Sequence, residues 1–356
     1  MKRWTIWSTA SSGWGYRFGI SAKRAGSKVQ GLKVDAVTEE DPKAKGVTVQ
    51  QLVDLRYIPE NKFARKVGFT RMKWSLAGAV IAVVAMLLGS RGSAAAAERP
   101  IDVIEDNSFL IEEAYNQEPG VVQHISTFQY NNDSRRSGWT FNFTQEWPIF
   151  SQEHQFSYTI PSYHLRDGGE RVSGVGDILL NYRYQALMED DVKPAFAPRF
   201  SLILPTGNRK NGTGNNVVGY QVNLPFSKKL GDRFGSHANF GLTYLPHVHG
   251  VLDNSTGQLS KKRSLVSYNV GASGIVALFP RFHLMLEWVG NFEQEINDAG
   301  RTERSFQPVI SPGFRTAIVN EEKLQIVVGA AAPIGLNHKA DNYGAFLYLS
   351  IEHDLF

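Results

Sequence analysis

Cysteine is absent from the 356 residues. That excludes disulfides, thiol nucleophiles and thiolate metal sites, and it suits a chain that crosses an oxidising compartment. After residue 97 there is no apolar run long enough for a membrane-spanning helix, which needs about 20 residues. Positive charge is also scarce where most of the chain lies. Residues 1–73 carry 15 Lys and Arg against 6 Asp and Glu, whereas from Glu98 onward 22 basic residues face 28 acidic ones. The formal charge of +4 therefore belongs to the leading segment, and the larger, mildly acidic part excludes nucleic acid as a partner.

What is present first is a second beginning. Residues 72–97, MKWSLAGAVIAVVAMLLGSRGSAAAA, have the three parts of a secretory signal. Lys73 is a short positive start, Leu76–Leu88 an apolar middle, and Ala95 and Ala97 the small residues of a cleavage site before Glu98. The rival reading is a membrane anchor, but the run is short for a ~30 Å bilayer core and alanines, not positive charges, follow it. Residues 1–71 show no helical or strand periodicity. They read as a basic extension that is either upstream sequence of a misassigned start at Met72 or a disordered cytoplasmic segment. The expected organisation is thus 1–71 extension, 72–97 signal peptide, 98–118 periplasmic N-terminal segment and 119–356 barrel.

The remainder alternates. In GDILLNYRYQAL (176–187), Ile178, Leu180, Tyr182, Tyr184 and Ala186 share one face, and Asp177, Asn181, Arg183 and Gln185 the other, with Leu179 the one misfit. Side chains of a strand point alternately to opposite sides, so this is a ribbon with one apolar and one polar side. In GWTFNFTQEW, Trp139, Phe141, Phe143 and Trp147 oppose Thr140, Asn142, Thr144 and Glu146; in RFHLMLEWVGNF, Phe282, Leu284, Leu286, Trp288 and Phe292 oppose His283, Glu287 and Asn291. Twelve such ribbons fall near 119–131, 136–148, 153–164, 175–187, 194–205, 216–227, 234–247, 263–279, 281–293, 304–319, 322–333 and 343–356. Long polar connections take turns with short ones, and the strand count is even, as in an outer-membrane barrel. Trp139 and Trp147 share a face eight residues apart, roughly 20 Å along the membrane normal at ~3.3 Å per residue and a tilt near 40°, which suits two interfacial girdles. The fold class is therefore all-β, a transmembrane antiparallel up-and-down barrel of about 12 strands. The chain ends in Phe356, as barrels read by the assembly machinery do, although Phe356 is out of phase with Leu347, Leu349, Ile351 and Leu355.

If the apolar faces touch lipid, the polar faces line the interior. They supply Glu146, Asp177, Arg183, Arg199, Gln221, His283, Glu287 and Arg315, residues that either pack the lumen as a salt-bridged network or meet a solute. The stretch SFLIEEAYNQEPGVVQH (108–124) departs from the alternation. Its Glu112, Glu113, Tyr115 and Asn116 read as a hatch folded into the lumen mouth or as a solvated tail. Tyr163 offers stacking along a path through the barrel.

FLIEEAYNQEPGVVQH, with GVGDILLNYRYQAL and PAFAPRFSLILPTGN, resembles the outer-membrane barrel family named for the phenol meta-cleavage degradation pathway (MetA-pathway of phenol degradation). The resemblance spans most of Ser108–Phe356. It implies a Gram-negative outer-membrane location and a transport role, and it carries over no catalytic, cofactor-binding or metal residues. The leading expectation is a porin-like passive transporter for uptake of small hydrophobic or aromatic compounds, with no cofactor and no enzymatic activity. Its partners are outer-membrane lipid and lipopolysaccharide, the barrel-assembly machinery through Phe356, and small-molecule solutes. The alternatives are a structural barrel that binds surface polysaccharide through SKKR (260–263) or the 206–216 loop, and a lipid hydrolase using His124 with Ser126 or His154 with Ser151. His247 and His249 form an H-x-H without a third metal ligand.

Overall fold

The computed structural model describes residues 2–4, 20–22 and 106–355, except 134–135, 168–169, 210–211, 250–261, 298–299 and 342. The signal segment 72–97, most of the leading extension, Phe356 and most of the SKKR loop lie outside the described residues. Near the N-terminus β1 (Lys2–Trp4) and β2 (Ile20–Ala22) pair antiparallel with each other. The other strands are β3 (Val121–Asn132), β4 (Arg136–Ile149), β5 (Ser151–Asp167), β6 (Glu170–Val175), β7 (Ile178–Tyr184), β8 (Ala195–Phe196), β9 (Arg199–Leu204) and β10 (Gly219–Lys229). They continue with β11 (Phe234–Val248), β12 (Arg263–Phe279), β13 (Phe282–Ile296), β14 (Thr302–Glu321), β15 (Leu324–Ala331), β16 (Ile334–Gly335) and β17 (Tyr343–Asp354).

Fifteen strands make one antiparallel sheet, of which β6, β8 and β16 are short pieces appended to longer neighbours, leaving twelve staves. The staves run β11–β12–β13–β14–β15–β17–β3–β4–β5–β7–β9–β10, and β10 pairs back onto β11. First and last staves meet through twelve paired residues from Tyr343↔Asn132 to Asp354↔Val121. A sheet closed in this way has no open edge, so the wall pairs its backbone groups stave to stave around the ring.

Burial follows the two faces, with the usual sense of a soluble protein reversed. Leu286, Leu347 and Ile318 are 53%, 54% and 55% exposed, while Glu287, Ser311 and Arg315 are fully buried. An outward apolar belt with an inward polar face is the arrangement a lipid-spanning barrel requires. Neighbouring staves match outward rings across the sheet: Trp147 meets Phe156 at 5.2 Å, Phe292 meets Phe306 at 4.6 Å, and Trp139 stacks on His164 at 5.6 Å. Such pairs contribute roughly 0.5–1.5 kcal/mol each beyond the area they bury, and they fix the register as well.

The interior is not polar throughout. Leu179, the misfit of its ribbon, points inward and packs with Tyr163, Ile203 and Leu245 in an apolar cluster toward the rim that carries the long loops. A second cluster gathers Ile125, Ile275, Met285, Val327, Phe346 and Tyr348 from five staves. Its centre is not on the wall at all. Phe109, Leu110 and Ile111 belong to the segment that precedes β3.

Candidate lumen site

Residues Asp106–Gln117 lie inside the barrel, and every one is buried except Tyr115, which is half-buried. The segment leaves the lumen through the turn at Glu118–Gly120, where Val121 N donates to Glu118 O at 3.1 Å. Gly120 has φ 89°, a conformation that costs glycine little, and it reverses the chain into β3. A stretch without strand pairing leaves its backbone groups to be met by the wall's side chains, because a buried unpaired amide costs about 1–3 kcal/mol.

The inward polar residues provide those partners. Glu287 Oε1 on β13 accepts from Leu110 N at 2.7 Å and from Ile111 N at 3.2 Å. Arg315 Nη1 on β14 donates to the carbonyls of Asp106 and Asn107 at 2.6 and 2.8 Å, with its Nε 3.5 Å from His283 Nδ1. Ser227 Oγ on β10 accepts from Ala114 N at 2.7 Å. Gln185 accepts from Asn116 N at 2.9 Å and donates to Ala114 O at 2.7 Å, and Gln155 accepts from Gln117 N at 2.8 Å.

Two side chains of the segment act as anchors. The Phe109 ring stacks on Phe346 at 5.3 Å and tilts against Tyr348 at 5.4 Å. Its seat exists because Gly313 and Gly329 face inward there: a Cβ on Gly329 would overlap the ring, and one on Gly313 would stand 3.0 Å from it. Beside it Asp106 accepts from Tyr348 Oη at 2.6 Å and from Gln123 Nε2 at 3.1 Å.

The second anchor is Glu112. Arg183 Nη1 on β7 reaches Glu112 Oε1 at 3.3 Å, and Arg199 Nε on β9 lies 3.0 Å from both carboxylate oxygens. Asn223 on β10 donates a third bond to Oε2. Arg183 also donates to Asn116 Oδ1 at 2.7 Å and to Tyr115 O at 2.6 Å, with Glu146 on β4 at 3.8 Å. At the rim of short turns, Tyr115 donates to Glu189, which also takes Lys228 Nζ at 3.1 Å. Burial raises the Glu189 carboxyl, but the bonds from Tyr115, Lys229 N and Lys228 outweigh it and hold the group below its ordinary range.

All eight inward candidates read from the sequence are thus buried within the barrel, and five of them (Glu146, Arg183, Arg199, Glu287 and Arg315) gather around the segment. Gln221 supports Arg199 Nη2 at 3.2 Å, and His283 supports Arg315. Asp177 is engaged elsewhere: it accepts from Gly207 N and Asn215 N, at 2.9 and 2.8 Å, and ties down the 205–218 loop. Of the segment's candidates, Glu112, Tyr115 and Asn116 bond to wall or rim residues, while Glu113 N donates to Asn107 Oδ1 within the segment at 3.0 Å. Sequence reading missed Asp106, Phe109, Asn223 and Tyr348. Tyr348 and Phe346 fall on the polar face of the last ribbon, so their parity was the available signal. His124 turns its Nε2 to His353 Nε2 at 3.2 Å on the outer face.

Beyond Leu110, toward the loop rim, a cavity of about 40 Å³ remains, lined among others by Gln129, Asn131, Val289, Asn291 and Tyr343. A cavity that binds benzene has ~150 Å³. With the segment in place, the lumen has space here for a few waters and none for an aromatic ring.

Neither a family model nor a curated protein sequence matches the chain. Among solved structures it is similar to an outer membrane channel from Pseudomonas putida F1, at a TM-score of 0.52 and 12% identity over 67% of this chain and 97% of that one. The likeness is one of fold. The NanC porin aligns at a TM-score of 0.40 and 7% identity, covering 66% of this chain and 100% of the other. A KdgM porin in complex with disordered oligogalacturonate aligns at 0.36 and 8%, covering 66% and 99%.

Proposed function

We propose that this protein is a passive outer-membrane channel for small hydrophobic or aromatic compounds, closed in the described state by its own segment Asp106–Gln117. The observation that carries this reading is the enclosed segment, a removable stretch of chain held across a lumen whose wall keeps polar, hydrogen-bonding side chains toward it. The apolar belt supports a bilayer location, and the fold shared with an outer membrane channel supports the outer membrane. Export by the 72–97 signal and assembly through Phe356 belong to the same reading.

The sequence carries no phosphate-binding loop motif, and we read movement as following the gradient. Opening is the local unfolding of a segment without strand pairing, which lies at the low-stability end of a structure whose staves are fully paired. Each of its bonds contributes about 1 kcal/mol net, so thermal release is rare while the anchors hold. The test is conductance in planar bilayers. The intact protein should show a low, intermittent current, and deletion of 106–117 should raise the open fraction at least tenfold. A deletion variant that folds and stays silent would favour a non-conducting structural barrel.

A further inference from the structure

The wall around Glu112 differs from the rest of the lumen in being built for a carboxylate as such. We propose that the seat now filled by Glu112 is the selectivity site of the open channel, and that the preferred solutes are small monocarboxylates. The inference rests on the channel reading and on the release of the segment.

Three donors of the wall converge there: Arg183 Nη1, Arg199 Nε and Asn223 Nδ2. Arg199 Nε shares its one N–H between both oxygens of the carboxylate, and Arg183 Nη1 adds a second charge-assisted donor from a neighbouring stave. The seat also outlasts its occupant. Arg199 is fixed by partners on the wall, donating to Asn181 Oδ1 at 2.8 Å, Ser201 Oγ at 2.6 Å and Gln221 Oε1 at 3.2 Å. When the segment leaves, its Nε remains aimed at the place the Glu112 carboxylate held.

Local charge points the same way. With Glu112 seated, two guanidinium groups face two carboxylates, Glu112 and Glu146. Withdrawal of the segment leaves Arg183 and Arg199 against Glu146 alone, a deficit of one negative charge on a buried wall. The open wall therefore keeps a local excess of positive charge, and a solute carboxylate that takes the vacated place regains the charge-assisted bonds Glu112 made. Glu287 and Arg315 hold the segment's backbone from the opposite wall and take no part in the Glu112 seat. A neutral aromatic gains nothing at the seat, and a cation meets two like charges. The segment's Glu112 is in effect a tethered competitor, and its high local concentration keeps the channel shut.

The experiment uses the full chain in planar bilayers with Glu112→Ala, which removes the occupant and leaves the seat. Potassium chloride current is titrated with benzoate and with its neutral isostere benzamide. Benzoate should interrupt the current at a concentration about tenfold below that of benzamide, the ratio expected when one charge-assisted bond is gained. The difference should vanish in Glu112→Ala combined with Arg199→Gln. Equal action of the two compounds on a conducting Glu112→Ala channel overturns the seat and leaves the channel reading standing. A folded Glu112→Ala protein, recognised by heat-dependent gel mobility, that carries no current overturns the channel reading and the seat with it. If Glu112→Ala does not fold, the unsubstituted protein decides. Benzoate, and not benzamide, should then speed protease cleavage within 106–117, and equal rates overturn the proposal.

Discussion

Between Asp106 and Ile111 the lumen segment is anchored by a ring, whereas between Glu112 and Gln117 it is anchored by a carboxylate. Phe109 sits against β14, β15 and β17, and Glu112 against β7, β9 and β10. In the order of the staves β15 and β9 stand six places apart around a ring of twelve, so the two anchors grip opposite walls. The backbone between them is met from both sides by similar means, Glu287 and Arg315 at one end and Ser227, Gln185 and Gln155 at the other. The difference lies in what each anchor demands of its replacement. An apolar seat accepts another apolar side chain of similar volume at a cost usually under ~1.5 kcal/mol. A buried charge pair accepts nothing in place of either partner, and losing one costs about 3–5 kcal/mol.

The largest expected effect comes from the carboxylate side. Arg199→Ala leaves Glu112 with less than its compensating charge and strips Asn181, Ser201 and Gln221 of their common donor. A destabilisation of the closed state by about 3–5 kcal/mol raises the open population by about two to nearly four orders of magnitude. Open probability in bilayers measures it, and an unchanged value would mean that the charge anchor holds nothing shut. The ring side comes next. Phe109→Ala should weaken the closed state by about 3 kcal/mol through the void it leaves between Gly329 and Phe346, while Phe109→Leu should cost under ~1.5 kcal/mol. Protease accessibility of 106–117 in the two variants sharpens the contrast. Similar losses for leucine and alanine would show that ring stacking, and not apolar volume, is what the seat reads.

The outer wall was legible in the sequence because it obeys period two. Leu284, Leu286 and Trp288 oppose His283, Glu287 and Asn291, and that alternation gives the stave, its two faces and its approximate ends. The interior was legible only in part. Arg183, Arg199 and Arg315 could be placed inside by parity, yet what they touch could not, since Arg199 and Glu112 are 87 residues apart and Leu110 and Glu287 are 177. Distances of that kind are set by barrel closure, which no local pattern encodes. The inward apolar residues were hidden by the rule that served outside: Leu179, Phe346 and Tyr348 lie on the polar face, where parity gives direction and carries no information about polarity. The glycines at 313 and 329 carry meaning only as the floor of the Phe109 seat.

The smallest effect should fall just before the ring anchor, at a contact where neither ring nor charge is involved. Ser108 Oγ meets Ser273 Oγ of β12 at 2.8 Å, both residues buried, and the pair is a neutral hydroxyl contact. Ser108→Ala leaves one wall hydroxyl without that partner, a loss of about 1 kcal/mol and thus about fivefold in open population. Replacing both, Ser108→Ala with Ser273→Ala, removes the stranded hydroxyl as well and should recover part of the loss, because apolar groups of similar shape can replace a buried hydrogen-bonded pair almost neutrally. Recovery in the double variant would confine the charge-dependence of closure to the Glu112 end. A double variant as open as Arg199→Ala would instead mean that a neutral hydroxyl contact beside the ring is as demanding as the charge anchor, and the contrast between ring and carboxylate would no longer describe how the lumen is held shut.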